Sequence, residues 1–233
     1  MARRNSGNAV HGWLVIDKGL NISSAGVVSK AKKILNAAKA GHGGTLDPLA
    51  TGLLPLAFGE ATKTVSYMMA GKKTYNFTIS WGLATDTDDA GGVVIKTSNI
   101  RPSRVQIEGI LPQFIGHIQQ VPPIYSAIKV DGKRAYVLAR EEKKFRLEPR
   151  PIFIDEFKLI DIIDVNRASF VVTSGKGAYV RGLARDIAVS LGAVGHISEL
   201  RRTHVGPFSE KDAVSLDQLE KLGYVGAAAV ILR

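Results

Sequence analysis

The chain has 233 residues, of which 31 are Lys or Arg and 21 are Asp or Glu, so its formal net charge at pH 7 is +10. Its length fits one large domain or two small ones, and 45% hydrophobic residues argue against wholesale disorder. The absence of cysteine excludes disulfides, thiolate zinc sites and cysteine nucleophiles, and it fits a reducing cytoplasm. The positive charge favours a polyanionic partner, nucleic acid before an anionic membrane surface, although charge used only for solubility is the plain alternative.

Apolar periodicity and turn residues predict more strands than helices along the chain. The first half contains a strand over 12–16, a helix begun by Ser23 or Ser24 and ended at Gly41, a structured loop over 41–52, a short helix over 62–69, a strand over 74–82, a polar loop, a strand over 93–96 and a helix capped by Ser103. The second half contains strands over 115–121, 124–129, 151–160, 168–174 and 196–203, a helix over 179–191, and a last helix capped by Ser215. We therefore predict an α+β fold with a mixed, largely antiparallel central sheet flanked by helices.

A basic stretch stands out at 129–150, with eight Lys or Arg against four Asp or Glu. Prolines bracket it, Pro122-Pro123 before it and Pro149 and Pro151 at its end. The stretch is predicted to leave the sheet as a basic excursion with one helical turn. A solvated face is the competing interpretation, and the two stand near parity.

Asp47 lies in the segment Gly43-Gly44-Thr45-Leu46-Asp47-Pro48. The glycines allow a close backbone approach, and Pro48 stiffens the chain just after the carboxylate. A carboxylate on such a rigid turn can act as a nucleophile or a base in a dry site. On spacing alone, an Asp-Pro turn that bonds its own backbone is the more common outcome.

Two further side chains are candidates for recognition. Tyr75 begins a strand with an aromatic face and could stack on a base, unless it is a core tyrosine. Arg181 follows a glycine-flanked turn into a helix, where a basic side chain favours anions, unless it is a surface arginine with an intrahelical ion pair.

No metal or cofactor site is predicted. The histidines have no metal-ligand spacing, and an apparent calcium loop from Asp86 has Thr97 where the closing Glu is needed. Phosphate-binding and nucleotide-binding glycine motifs are also missing from the sequence. Any chemistry must therefore use acid, hydroxyl and guanidinium groups.

Six stretches, in order, resemble the tRNA pseudouridine-55 synthase family, the TruB class, over nearly the whole chain. They are GWLVIDKGLNISS (12–24), GHGGTLDPLATGLLPLAFGEATK (41–63), KTYNFTISWGLATDTDDAGG (73–92), PPIYSAIKVDGKRAYVLAR (122–140), GKGAYVRGLARDIAVSLG (175–192) and HISELRRTHVGPF (196–208). The GHGGTLDP motif is the most specific of them. Ala178 departs from the family pattern, which usually has Thr at that position.

The resemblance implies a role for each matching residue in isomerising a uridine of the tRNA T-loop to pseudouridine. Asp47 would be the catalytic aspartate, Tyr75 the tyrosine that stacks on the flipped base, and Arg181 the arginine paired with the aspartate. Further substrate or RNA contacts would come from His42, Thr45, Tyr179, Leu200, Asp89, Lys18 and Lys63. The segment at 122–150 would be the RNA-gripping thumb, with Lys129, Lys133 and Arg134 as basic contacts.

The resemblance also sets expectations for organisation and partners. We expect a single catalytic domain over 1–233, acting as a cytoplasmic monomer on the T-arm of tRNA, without a membrane, metal or cofactor. Family members usually continue into a C-terminal PUA-type domain, which we expect to be absent or truncated because the chain stops at Arg233. A non-catalytic RNA-binding or RNA-folding protein on the same scaffold is the alternative. A basic ribosome-associated structural domain is a third interpretation, but it explains none of the motifs.

Overall fold

The computed structural model describes residues 7–227 and 229–232. It divides into two compact units, one formed by the chain up to Thr74 together with the chain from Arg201 onward, and one formed by Tyr75–Leu200. The strands are β1 (Gly12–Lys18), β2 (Ala40–His42), β3 (Ala50–Phe58), β4 (Lys73–Trp81), β5 (Leu83–Thr85), β6 (Val94–Thr97), β7 (Gly116–Gln120), β8 (Lys129–Val130), β9 (Lys133–Arg134), β10 (Arg150–Asp164), β11 (Arg167–Ser174), β12 (Gly195–Val205), β13 (Phe208–Ser209) and β14 (Ala213–Val214). The α-helices are α1 (Ser24–Ile34), α2 (Val65–Ala70), α3 (Arg104–Ile110), α4 (Ala135–Arg140), α5 (Val180–Ser190) and α6 (Leu216–Ala227), and short 3-10 helices cover Gly59–Thr64, Leu111–Phe114 and Glu210–Asp212.

The first unit is built on β1, which pairs antiparallel with β3 and parallel with β14. Strand β2 pairs antiparallel with the last three residues of β3, at 56–58, so that His42 lies opposite Leu56. Strands β1 and β3 are mostly apolar and buried, as expected for strands covered on both faces of a sheet. Helix α1 buries Val27 and Ala31.

The second unit contains neighbouring strands in the order β4-β11-β10-β7. Strand β10 pairs antiparallel with β11 on one side and with β7 on the other, and β4 lies beyond β11. The inward residues of β4 meet those of β11, and the rings of Phe77 and Phe170 stack with centroids 5.3 Å apart. Helix α5 covers this core with Leu183 and Ile187, both fully buried. The predicted α+β fold with a largely antiparallel sheet is confirmed.

Most predicted elements are present, and four predicted features differ from the structure. Helix α1 does not continue to Gly41, because Asn36 adopts φ 43°, a left-handed conformation that asparagine tolerates at a helix end, and Gly41 then lies in β2. The predicted strand over 124–129 is wrong, since only Lys129–Val130 is extended. That pair forms a hairpin with β9 through Asp131 and Gly132, both at positive φ (49° and 82°), the geometry that an Asp-Gly turn provides.

The short helix predicted over 62–69 is instead a 3-10 helix at Gly59–Thr64 followed by α2 at Val65–Ala70. The predicted loop at 41–52 is shorter, because β2 and β3 extend into it and leave only 43–49 irregular. Within the residues that the structure describes, no helix is long and apolar enough to cross a membrane.

Candidate active site

Asp47 lies on the turn at 43–49, in the first unit, between β2 and β3. The turn closes on itself where the Ala50 amide donates to the Asp47 carbonyl at 3.0 Å. Strand β3, which follows the turn, needs a glycine at position 52. Gly52 has φ 98°, and a Cβ there would lie 2.2 Å from the Arg202 carbonyl oxygen. The half-buried carboxylate is therefore carried by a short, tightly constrained segment.

Two buried side chains hold this turn from the side of α1. The Lys18 ammonium, at the end of β1, donates to the carbonyl oxygens of Pro48 at 3.2 Å, Gly19 at 2.8 Å and Ile22 at 2.9 Å. The Ser24 hydroxyl donates to the Leu46 carbonyl at 2.9 Å and accepts from the Leu46 amide at 2.8 Å. Backbone groups on both sides of Asp47 are thus anchored.

Arg202, in β12, also holds the turn. Its side chain donates to the carbonyl oxygens of Leu53 at 2.8 Å, Gly44 at 3.1 Å and Thr45 at 3.4 Å. Arg202 is 1% exposed. A guanidinium is stable at such depth only when fixed acceptors replace water, and the carbonyl groups of the turn are such acceptors.

The charges of this unit act on one another. Burial lowers the pKa of Lys18, the negative charge of Asp47 raises it in part, and the Arg202 charge lowers it further. Burial also lowers the pKa of His42, and the positive charge of Arg202 adds to that effect. His42 is therefore neutral at pH 7, and its buried Nδ1 has no hydrogen-bond partner among the described residues.

Two other predicted contacts of this unit are exposed. The Thr45 side chain faces solvent on the turn that carries Asp47. Lys63 lies in the 3-10 helix and pairs with Glu60 at 2.5 Å, with both side chains 69% exposed. The first unit thus brings Lys18, His42, Thr45 and Asp47 together around one turn, whereas Lys63 forms a solvent-exposed ion pair.

The second unit contains Tyr75, Leu200, Tyr179, Arg181 and Asp89. Tyr75, in β4, and Leu200, in β12, are half-buried and pack against the aromatic core of the unit. Both therefore combine one apolar, anchored side with one accessible side, as a base-stacking platform requires.

Arg181 lies in the first turn of α5 and is 5% exposed. Its Nη1 donates to the Thr87 carbonyl at 2.8 Å and its Nη2 to the Tyr125 carbonyl at 3.0 Å. Its Nε lies 3.8 Å from the Asp89 Oδ2 atom. Arg181 thereby connects α5 to the loop at 86–91 and to the entrance of the basic segment.

The loop at 86–91 has its own internal bonds. The Asp89 Oδ1 atom accepts from the Thr87 hydroxyl at 2.7 Å and from the Gly91 amide at 2.9 Å. Asp88, at φ 61°, pairs with Arg185, whose Nη1 lies 3.0 Å from Asp88 Oδ2. Because Arg181 and Arg185 are one turn apart, α5 anchors the loop at two consecutive aspartates.

Tyr179 precedes α5 and is fixed by its backbone. Its amide donates to the Gln120 Oε1 atom at 2.9 Å, and the Gln120 Nε2 atom donates to its carbonyl at 3.0 Å. Gln120 is 1% exposed. This reciprocal amide pair fixes the chain just before Arg181.

The buried Asp88 carboxyl predicts a pH dependence of the free energy of unfolding. Burial raises its pKa from 3.8 to about 6, against the lowering effects of Arg185 and Arg181. The native state therefore binds the Asp88 proton more tightly than the unfolded chain, and the contribution of Asp88 to stability falls as the pH rises from about 4 to 6. We expect the free energy of unfolding of Asp88→Asn, minus that of the wild type, to increase across this window. Urea titrations at several pH values measure it, and a difference that does not change with pH would contradict the assignment.

The basic segment forms a small hairpin, β8 and β9, followed by α4. Arg134 donates to the Ala127 carbonyl at 3.1 Å, and Lys133 lies 3.9 Å from Glu141. Lys129 is exposed and has no ion-pair partner among the described residues. The one predicted helical turn is present as α4, at Ala135–Arg140.

Sequence reasoning did not single out four residues that hold these sites: Ser24 as an anchor of the Asp47 turn, Gln120, Arg202, and Asp88 as the partner of Arg185. Ser24 was visible beside the helix cap, which Ser23 provides by accepting from the Gly26 amide. Arg202 and Gln120 had no local signal, since their partners lie far away in the sequence. Within residues 7–227 and 229–232, no group of three or more His, Asp or Glu side chains could hold a metal ion.

The sequence of this chain is similar to those of known proteins over most of its length. The family model "TruB family pseudouridylate synthase (N terminal domain)" matches residues 32–180, and "tRNA pseudouridylate synthase B C-terminal domain" matches residues 181–229. The tRNA pseudouridine synthase B of Rhodospirillum rubrum is 52% identical over 224 residues, 96% of this chain and 73% of the relative. That of Gluconacetobacter diazotrophicus is 57% identical over 217 residues, 93% of this chain and 71% of the relative.

Solved structures share the fold. A chain in the crystal structure of a Cbf5-Nop10-Gar1 complex aligns with a TM-score of 0.72 at 30% identity, covering 91% of this chain and 54% of that one. A chain in the structure of an H/ACA RNP bound to a substrate RNA containing 2'-deoxyuridine aligns with a TM-score of 0.71 at 26% identity, covering 98% of this chain and 61% of that one. This chain thus spans little more than half of those structural relatives.

The fold, the carboxylate turn and these matches define an enzyme of the pseudouridylate synthase class, which isomerises uridine to pseudouridine. Within that class, the chain belongs to the TruB family.

Proposed function

We propose that this chain isomerises uridine 55, in the T-loop of tRNA, to pseudouridine. The observation that carries the proposal is the Asp47 carboxylate on a turn anchored by Lys18, Ser24 and Arg202. That turn lies in the matched family segment, and the relatives at 52% and 57% identity are named tRNA pseudouridine synthase B. Specificity for the T-arm is part of this proposal.

The reaction rearranges one nucleotide without adding a group. The N1–C1′ bond breaks, the uracil rotates, C5 bonds to C1′, the C5 proton leaves to solvent and N1 takes up a proton. Asp47 supplies the carboxylate, as a nucleophile or as a base on the sugar. Arg181 supplies the positive charge that balances a carboxylate in a water-poor site.

The uridine must leave its base stack before it can react, at a cost of a few kcal/mol. Tyr75 offsets part of that cost by stacking on the base, and Leu200 and Tyr179 complete the apolar contacts. His42, neutral and next to the Asp47 turn, helps to displace the base, and Asp89 provides a polar contact to it. Lys63 and Thr45 are exposed and complete the RNA-facing set, whereas the buried Lys18 acts through the Asp47 turn.

The basic segment at 122–150 would grip the RNA as a thumb, through Lys129, Lys133 and Arg134. We propose that residues 1–233 act together as one catalytic domain, and that the protein works in the cytoplasm as a monomer. Single-stranded loop nucleotides are the usual targets of sequence-specific RNA recognition, which favours a T-loop substrate.

The direct test uses a synthetic T-arm hairpin incubated with the protein. We expect conversion without a change of mass, with pseudouridine detected chemically at position 55 only. A hairpin with cytidine at that position is the control. Absence of pseudouridine in both the hairpin and full-length tRNA would overturn the proposal.

Tyr75 allows stacking and hydroxyl roles to be separated. We expect Tyr75→Phe to bind the hairpin as the wild type does, because the ring is retained. Tyr75→Leu should weaken binding about 5-fold to 150-fold, since stacking on one base is worth about 1–3 kcal/mol. Hairpin affinities measured by fluorescence anisotropy test this, and weak binding by a folded Tyr75→Phe protein would contradict stacking as the main role.

The thumb predicts a salt dependence. Replacing Lys129, Lys133 and Arg134 with Gln should make the binding of the hairpin less sensitive to salt. The slope of the logarithm of the binding constant against the logarithm of the salt concentration should shrink in magnitude by about 2, because each lost phosphate contact removes roughly 0.7–0.9. The matched control replaces three basic residues that pair with acids elsewhere in the same unit, Arg104, Lys158 and Arg167. An equal loss of slope in both triple variants would contradict a specific thumb.

A further inference from the structure

Arg202 closes the segment that carries Asp47. Its guanidinium binds Gly44 and Thr45 on one side of the aspartate and Leu53 on the other, so one planar group joins both ends of the segment at 44–53. The backbone of Arg202 is equally close, since a Cβ on Gly52 would meet its carbonyl oxygen at 2.2 Å. Few displacements of the turn leave all three carbonyl groups bonded.

A lysine cannot replace this arrangement. The guanidinium presents five N–H donors in a fixed fork, whereas an ammonium is a single point on a flexible stem. The three acceptors lie along different directions from Nε, Nη1 and Nη2. Geometry, rather than charge alone, therefore sets the position of the turn.

Arg202 also acts through its charge on two neighbours of the turn, His42 and Lys18. Its positive charge adds to burial in lowering the pKa of both side chains. The effect of the hydrogen-bond geometry and the effect of the charge can be measured separately. A lysine at position 202 keeps the charge and loses the forked arrangement of N–H donors, whereas a methionine loses both.

We propose that Arg202 is a positioning residue of the isomerisation, fixing the turn that carries Asp47 through Gly44, Thr45 and Leu53. The inference rests on the proposed function and assigns to it a residue outside the segment that carries the aspartate. A displacement of about 1 Å at a reacting group costs roughly 100-fold in rate, so a loosened turn lowers kcat more than it lowers RNA affinity.

The experiment compares Arg202→Lys and Arg202→Met with the same changes at Arg201. Arg201 is the next residue of β12 and binds Asp17 at 2.9 Å and Glu210 at 2.7 Å at a partly exposed position. We expect Arg202→Met to lower kcat about 100-fold and Arg202→Lys at least about 10-fold, each with hairpin affinity within about threefold of the wild type. Both Arg201 variants should keep a kcat within about fivefold of the wild type, as expected for a partly exposed ion pair.

A second readout does not depend on turnover. In an NMR titration, the pKa of His42 should be higher in Arg202→Met than in the wild type and unchanged in Arg202→Lys, because only the first removes the charge. Wild-type kcat in a folded Arg202→Met protein would overturn the proposal. If that variant does not fold, wild-type kcat in Arg202→Lys would overturn it. An inactive wild type would instead refute the proposed function, while an unchanged His42 titration in folded Arg202→Met would refute the effect of the Arg202 charge on His42.

Discussion

Asp47→Asn is expected to lower the rate of isomerisation by at least about 1,000-fold while hairpin affinity stays within a few fold of the wild type. The amide has nearly the shape of the carboxylate, so the turn anchored by Lys18, Ser24 and Arg202 is retained. It has neither the negative charge nor the basicity that the reaction needs. Release of tritium from C5-labelled uridine measures the rate, and filter binding measures the affinity.

The control for this variant is Asp161→Asn, an exposed carboxylate that pairs with Arg104 at 3.2 Å. It should turn over at the wild-type rate. Turnover by Asp47→Asn at that same rate would contradict the catalytic assignment. The alternative of an RNA-binding or RNA-folding protein on this scaffold would then be favoured, because that activity needs the basic surface without the carboxylate.

The sequence predicted the elements whose signals are local. The alternation of aromatic and polar residues at 74–82 predicted β4, and the Ser103 capping box predicted α3, whose two reciprocal bonds are present. Helix α1 was predicted too long because glycine was taken as its end, whereas Asn36 can adopt the same left-handed conformation. The Asp131-Gly132 turn was a local signal too, and it would have replaced the predicted strand over 124–129 with a hairpin.

The candidate site could be predicted only in part, for a physical reason. The motif around Asp47 identified the residue, but it could not show what holds the turn in place. Arg202 contacts backbone atoms about 150 positions earlier in the chain, and backbone carbonyl groups leave no trace in the sequence. The same holds for Gln120 and Tyr179, 59 positions apart, which meet through one side-chain amide. Contacts of this kind depend on the completed fold.

Arg181→Lys is expected to lower kcat about 100-fold or more, with hairpin affinity within a few fold of the wild type. Arg181 uses separate donors for the Thr87 and Tyr125 carbonyl groups, and its Nε faces Asp89. A lysine keeps one charge but cannot maintain all three directions, so the loop at 86–91 loses one of its two anchors to α5 and keeps the pair of Arg185 with Asp88. Single-turnover kinetics measure the rate of the chemical step. Faster hydrogen exchange at the Gly91 amide, which donates to the Asp89 carboxylate, reports the loosened loop.

Arg185→Lys is the matched control, one turn further along α5. Its charged partner, Asp88, lies 3.0 Å away, and an ammonium can maintain that ion pair. We therefore expect kcat within about fivefold of the wild type, since the weakened bonds, to the Val121 carbonyl and to Asp186, do not involve the loop at 86–91. Equal losses of kcat in Arg181→Lys and Arg185→Lys would mean that both arginines of α5 serve only to hold the loop at 86–91. A loss confined to Arg181→Lys, together with wild-type hairpin affinity, would place Arg181 among the groups on which the chemical step depends.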